Sequence, residues 1–163
     1  MDYNYLIFAH VLGVVIFAAG HGISMAMLAM LRNERNPDRL RAMLDMSLGG
    51  LFATYGGLLV IIASGVWLGF EGGFWGQGWL WTSIAILVGI TVLMMYVGVS
   101  HFGRIREAVG LQPYRFTVRV TLGPVAAEAE IAALAMSPKV GMTMTLGTLA
   151  LVALLVLMTV KPF

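Results

Sequence analysis

Three histidines, His10, His21 and His101, stand in a chain of 163 residues of which only 11% are charged. Each lies in or beside a long apolar run, where an ionisable side chain is costly and marks a functional site by default. A neutral imidazole is a good axial ligand for haem iron and a good ligand for copper. His10 and His21 are eleven residues apart. On a helix that spacing is almost a whole number of turns, so the two share one face about 16 Å apart along the axis. Gly13 or Val14, Phe17, Ser24 and Met25 fall on the same stripe. Small, aromatic and imidazole-bearing, it is the wall expected against a planar cofactor.

Two axial ligands must sit at matching depth on facing helices. Counted inward from Arg32 and Arg104, His21 and the pair Met94 and Met95 both lie roughly 14 to 16 Å from the basic ends of their segments, so a His/Met site is expected there. At the other end His10 is expected at the depth of Met158. His101 lies one turn from Arg104, which matches His21 poorly and suits an interfacial residue. Tyr55 and Tyr96 are candidate donors to a propionate or a quinone, and serve equally well as packing residues with a hydroxyl partner. The twelve methionines, with Met25, Met27 and Met30 closely spaced, admit copper handling, although scattered methionine also fills gaps between helices. A histidine in a span is equally accounted for by a hydrogen bond to Ser, Thr or a backbone carbonyl. Glu128 and Glu130 are next-but-one on an expected helix and point apart, which argues against a carboxylate pair. No nucleophile constellation, phosphate-cradling loop or zinc-ligand spacing occurs. With no cysteine, disulfides, iron–sulfur ligation and thiolate metal sites are excluded.

The elements that must position these residues are membrane helices. Hydrophobic residues make up 60% of the chain and the mean hydropathy is +0.89, from which no water-soluble surface can be built. Apolar segments run from about residue 5 to 31, 47 to 70, 79 to 102 and 140 to 160, each long enough to span a bilayer. Backbone groups in lipid must be satisfied internally, so the fold class is all-α, an integral membrane four-helix bundle in one domain over 1–163. Arg32, Arg35, Arg39 and Arg41 lie in the first loop, and Arg104, Arg106, Arg115, Arg119 and Lys139 in the third; the second carries only Glu71. The positive-inside rule makes the first and third loops cytoplasmic and places both termini outside. Trp67, Phe70, Phe74, Trp75, Trp79 and Trp81 crowd the opposite face as an interfacial belt. The first segment lacks a basic leader and is too long for a cleavable signal, so it is expected to remain as a span. The third loop, 103–139, is expected to hold an amphipathic helix over 118–136, because Arg119, Pro124, Glu128 and Glu130 disfavour a fifth span. Small residues at Gly13, Gly20, Ser24, Gly49, Ala53, Gly56, Gly57, Gly89 and Gly98 predict close helix approach. The sequence pI of about 9.2 reflects the loop arginines, a topogenic pattern with no nucleic-acid footprint.

The stretch from Ala9-His10 to Ala19-Gly20, an early His followed ten residues later by an Ala-Gly pair, resembles the first helix of small bacterial four-helix membrane proteins. These comprise the HemJ-type protoporphyrinogen oxidases, the CopD copper-resistance membrane domain and, nearest in pattern, a related uncharacterised family of predicted integral membrane proteins. The closing Val160-Lys161-Pro162-Phe163 is similar to the end of the HemJ-type proteins. Hydropathy likeness covers the whole chain, whereas the specific matches are confined to the first helix and the last residues. The resemblance implies haem b held at His10, electron exchange in a bacterial cytoplasmic (inner) membrane, and quinone or other membrane redox subunits as partners, within an oligomer or complex. The chain departs from the HemJ pattern at Ser24-Met25-Ala26-Met27-Leu28, where that group carries a basic residue, and in its long third loop. The expectations are thus a haem-b electron-transfer protein with His10 first and His21 second as ligand, copper or small-solute handling, or a structural subunit without cofactor.

Overall fold

The computed structural model describes residues 2–34, 36–113 and 121–162. Among these residues there is no strand, and the helices are α1 (Tyr3–Leu31), α2 (Pro37–Glu71), α3 (Gly78–Leu93), α4 (Ser100–Ala108), α5 (Glu128–Ala135) and α6 (Pro138–Val160). A short 3₁₀ turn, Phe74–Gly76, joins α2 to α3, and a π-helical turn, Met94–Val99, carries α3 into α4 without a break. Four helices are long and apolar enough to cross a membrane: α1, α2, the continuous α3–α4 rod and α6. Large apolar side chains cover their outer faces, with Phe8 65%, Leu59 69% and Leu149 60% exposed. Such continuous apolar surface suits a lipid bilayer.

The boundaries differ from the hydropathy reading at the basic end. α2 begins at Pro37, ten residues before the apolar run, because Asn36 caps it and Pro37 pre-sets the first turn. The Asn36 side chain accepts hydrogen bonds from the N–H groups of Asp38 and Arg39. The rod continues past Phe102 to Ala108. The helix expected over 118–136 is confined to 128–135: residues 121–127, which contain Gly123 and Pro124, are not helical, and 118–120 fall outside the described residues. Here the backbone pairs elsewhere, with the Ala126 N–H donating to the Ala108 carbonyl.

α1 and α2 form one antiparallel pair, α3 and α6 a second. In the first, buried residues of α1 recur every seven positions, Leu6, Gly13, Gly20 and Met27, and meet Gly50, Gly57 and Ser64 of α2, again seven apart. A seven-residue repeat is the period of left-handed supercoiling. Glycine lets the backbones touch: a Cβ on Gly57 would lie 2.5 Å from the Phe17 nitrogen, and one on Gly20 2.6 Å from the Gly50 carbonyl oxygen.

A side-chain core fills the basic end, where Met27, Leu31, Leu40, Leu44, Ile105, Val109 and Ile131 bury one another. Two arginines pin it. Arg106, only 5% exposed, donates through Nη1 to the Leu44 carbonyl at 2.7 Å, through Nε to the Gln112 carbonyl at 2.7 Å and through Nη2 to Asp45 at 2.9 Å. Arg41 donates to the Val109 carbonyl at the end of α4. The Arg41 contact thereby caps the end of α4. At the opposite end Trp75 packs on Phe70 and Trp81, Phe74 on Trp79, and the Lys161 ammonium lies over the Phe74 and Trp79 rings.

Candidate cofactor cavity between the helix pairs

The two pairs do not close on each other. Between them runs a half-open, predominantly apolar cavity of about 160 Å³, lined by α1, α2, α3, the π turn, α4 and α6. Its lining extends from Phe17 to Leu28 on α1 and from Thr143 to Leu154 on α6, about 16 Å along each axis at helical rise.

His21 is the one imidazole on this lining. Its ring stacks on Phe17, one turn earlier on α1, with the planes 3° apart and the centroids 6.1 Å apart. Nε2 is buried and has no hydrogen-bond partner. Leaving a buried polar atom unsatisfied costs about 1–3 kcal/mol, and such an atom in a folded protein calls for an explanation. Of the hydroxyls on the lining, those of Ser24, Ser47, Thr54 and Thr143 each donate to a carbonyl of their own helix, at Gly20, Leu44, Gly50 and Lys139, and those of Tyr55 and Thr91 share the cavity with the imidazole.

Gly147 of α6 faces the imidazole edge. A Cβ there would lie 2.6 Å from Met94 Cε, 3.0 Å from His21 Cε1 and 3.1 Å from His21 Nε2. Imidazole and thioether thus converge on a space that exists because residue 147 has no side chain. Met94 opens the π turn, and both it and Met95 reach the cavity although adjacent residues on an α-helix diverge. The Ser100 hydroxyl donates to the Tyr96 and Val97 carbonyls within this turn. Single π turns of this kind are frequent at functional sites.

The other candidates are distributed differently. Tyr55 lines the cavity, and Met95, 54% exposed, forms its rim. Tyr96 is 80% exposed on the outside of the bundle. Met158 and His10 lie outside the lining. The Ser64 hydroxyl of α2 donates to the Val60 carbonyl at 2.5 Å and lies 3.0 Å from His10 Nδ1. With that proton committed to Val60, Nδ1 must carry its own and donate to Ser64, leaving Nε2 as the lone-pair nitrogen. His101 donates from Nε2 to the Leu134 carbonyl at 3.0 Å, tying α5 to α4. The depth match of His21 with Met94 is therefore realised as a convergence, whereas His10 is engaged across the α1–α2 seam.

Among the described residues no three His, Asp or Glu side chains cluster as metal ligands. A metal in the cavity must then be held by imidazole and thioether, or bring most of its own donors. A tetrapyrrole does the latter, asking the protein for one or two axial ligands. The orphaned Nε2, the cradle at Gly147 and the half-open slot fit that demand. Comparison of the chain with protein-family models, curated proteins and solved structures finds no match.

Sequence reasoning missed three features of this region. Gly147 is one glycine in an apolar segment and its role depends on what faces it. The π turn has no compositional mark beyond Ser100 placed to satisfy carbonyls. Arg106 reads as a topogenic charge until its burial is seen.

Proposed function

We propose that this chain is a haem-b-binding integral membrane protein that passes electrons within a membrane redox system, in which His21 and Met94 would hold the haem. The observation that carries this reading is the buried, unpartnered Nε2 of His21 on the wall between the helix pairs. Bound there, haem would supply one-electron redox chemistry. His21 offers its Nε2 lone pair, and the Phe17 stack fixes the orientation of its ring. Gly147 spares Nε2 a Cβ that would lie 3.1 Å away, and Met94 meets the same space from the π turn. The apolar lining excludes water, which favours a low-charge centre. His10, held by Ser64 and by the Ile61 backbone, has the arrangement by which a second group orients a ligand imidazole. It is the alternative position for the metal.

The basic first and third loops support cytoplasmic placement of that end, with both termini outside, and the likeness of the first helix to small bacterial membrane proteins supports an inner-membrane location. Quinone or another subunit of a redox complex is the proposed electron partner.

A second reading is copper handling. It is favoured by Met25, Met94, Met95 and Met144, which line the same cavity as His21 and are soft ligands suited to the reduced ion. Metal analysis and an optical spectrum of detergent-purified protein separate the two. The haem reading expects a Soret band and iron; copper without a Soret band, before and after haem supplementation, would replace it by the second.

A further inference from the structure

The basic end of the bundle carries a feature that the cavity does not use. The Leu134 carbonyl accepts the Nε2–H of His101 at 3.0 Å and also the N–H of Ser137 at 3.3 Å. One carbonyl thereby ties the surface of α4 to the start of α6, two residues before Lys139. Arg104 follows His101 by three residues, on the same face of α4. Arg104 and Lys139 are both exposed, and both act electrostatically on the His101 ring. Among the described residues neither has a carboxylate partner. The ion pairs among the described residues join Arg39 to Glu34, Arg41 to Asp38 and Arg106 to Asp45.

Depth limits what can neutralise this patch. The apolar run of α6 follows directly on Lys139. The cluster therefore lies where hydrocarbon gives way to headgroups. Cations gathered by the fold without a counter-charge repel one another, and the anion present at that depth is lipid phosphate. Juxtamembrane basic residues attract it at about 1 kcal/mol each, and a guanidinium can fork two of its oxygens.

We propose that Arg104 and Lys139, brought onto one patch by the His101–Leu134 hydrogen bond, bind the phosphodiester of an anionic phospholipid. The two side chains supply the charge. His101, whose Nε2–H is spent on Leu134, is the positioning residue that holds α5 and the start of α6 against α4. None of the three lines the cavity, so the site is independent of any cofactor there.

The test is thermal unfolding and native mass spectrometry of the full chain in detergent with added phosphatidylglycerol, phosphatidylcholine or inorganic phosphate. Phosphatidylglycerol is expected to raise the melting temperature above the phosphatidylcholine value. That difference should be at least halved in Arg104→Gln/Lys139→Gln and retained in Arg32→Gln/Arg39→Gln, which removes equal charge from another part of the same end. Native spectra should show one fewer retained phosphatidylglycerol in the first double variant, a readout that holds even if its baseline stability changes. Equal lipid retention by that variant and the wild type would overturn the proposal. So would equal losses in both double variants, which would indicate diffuse attraction, or equal stabilisation by inorganic phosphate, which would indicate a free-anion site.

Discussion

The seam between α1 and α2 and the gap between that pair and the α3–α6 pair are built from opposite materials. At the seam, glycines and a serine at seven-residue spacing bring backbones into contact, and the one histidine present is hydrogen-bonded across it. At the gap, methionine, leucine, tyrosine and threonine side chains meet around a void, and the one histidine present has an unpartnered nitrogen. Lipid gives no hydrophobic drive for closing either interface, so the difference rests on shape and polar partners alone. The first pair is a complete scaffold. The second interface leaves a half-open cavity.

The sharpest way to break this contrast is to put a side chain into the seam. Gly57→Leu must push Cβ against the Phe17 nitrogen and the Gly13 carbonyl, and overpacking against backbone should cost at least about 3 kcal/mol. Detergent-solubilised protein should then aggregate or lose its cooperative melt. Gly56→Ala, one residue away with no atom within 4 Å of the added methyl, should leave the melting temperature unchanged. If the two behave alike, the packing register is wrong.

The next largest effect concerns the basic end, where packing is side chain on side chain. Arg106→Met removes the guanidinium bonds to the Leu44 and Gln112 carbonyls and to Asp45. A loss of about 2 kcal/mol is expected, below the usual cost of breaking a buried ion pair because Asp45 stays half in solvent. Denaturant unfolding in micelles would measure it, and a neutral result would show that Arg106 serves topology alone. The smallest effect belongs to the seam's own polar link. Ser64→Ala removes the hydroxyl partner of His10 Nδ1, and interhelical hydrogen bonds in membranes average about 0.6 kcal/mol. A melting shift of a degree or two is the expected size, and the absorption spectrum should not change if His21 is the ligand.

Much of this architecture is legible in the sequence, and the limits have physical causes. The four spans follow from hydropathy and length. Gly13, Gly20, Gly56 and Gly57 announce close packing, yet α2 carries two small-residue stripes one position apart, Gly49 with Gly56 and Gly50 with Gly57. Both have the same spacing, so composition cannot choose which one α1 meets. Structure puts Gly50 and Gly57 in the seam and leaves the other stripe facing outward. For the histidines, depth can be counted from the basic ends, and on that count His21 and Met94 match. Azimuth cannot be counted, and it separates the seam-facing His10 from the cavity-facing His21. The loop helix is overextended in the sequence reading because Val118 to Met136 has mixed polarity throughout, while Gly123 and Pro124 precede the helical stretch, 128–135, that packs against α4.

The central claim is that the unpartnered nitrogen of His21 marks a haem site, and optical spectra of detergent-purified wild type, His10→Ala and His21→Ala, each with and without haem supplementation, test it most directly. A Soret band in the wild type that persists in His10→Ala and is lost in His21→Ala is the predicted result. A wild type without a Soret band even after supplementation, or a His21→Ala variant that keeps it undiminished, would contradict the account.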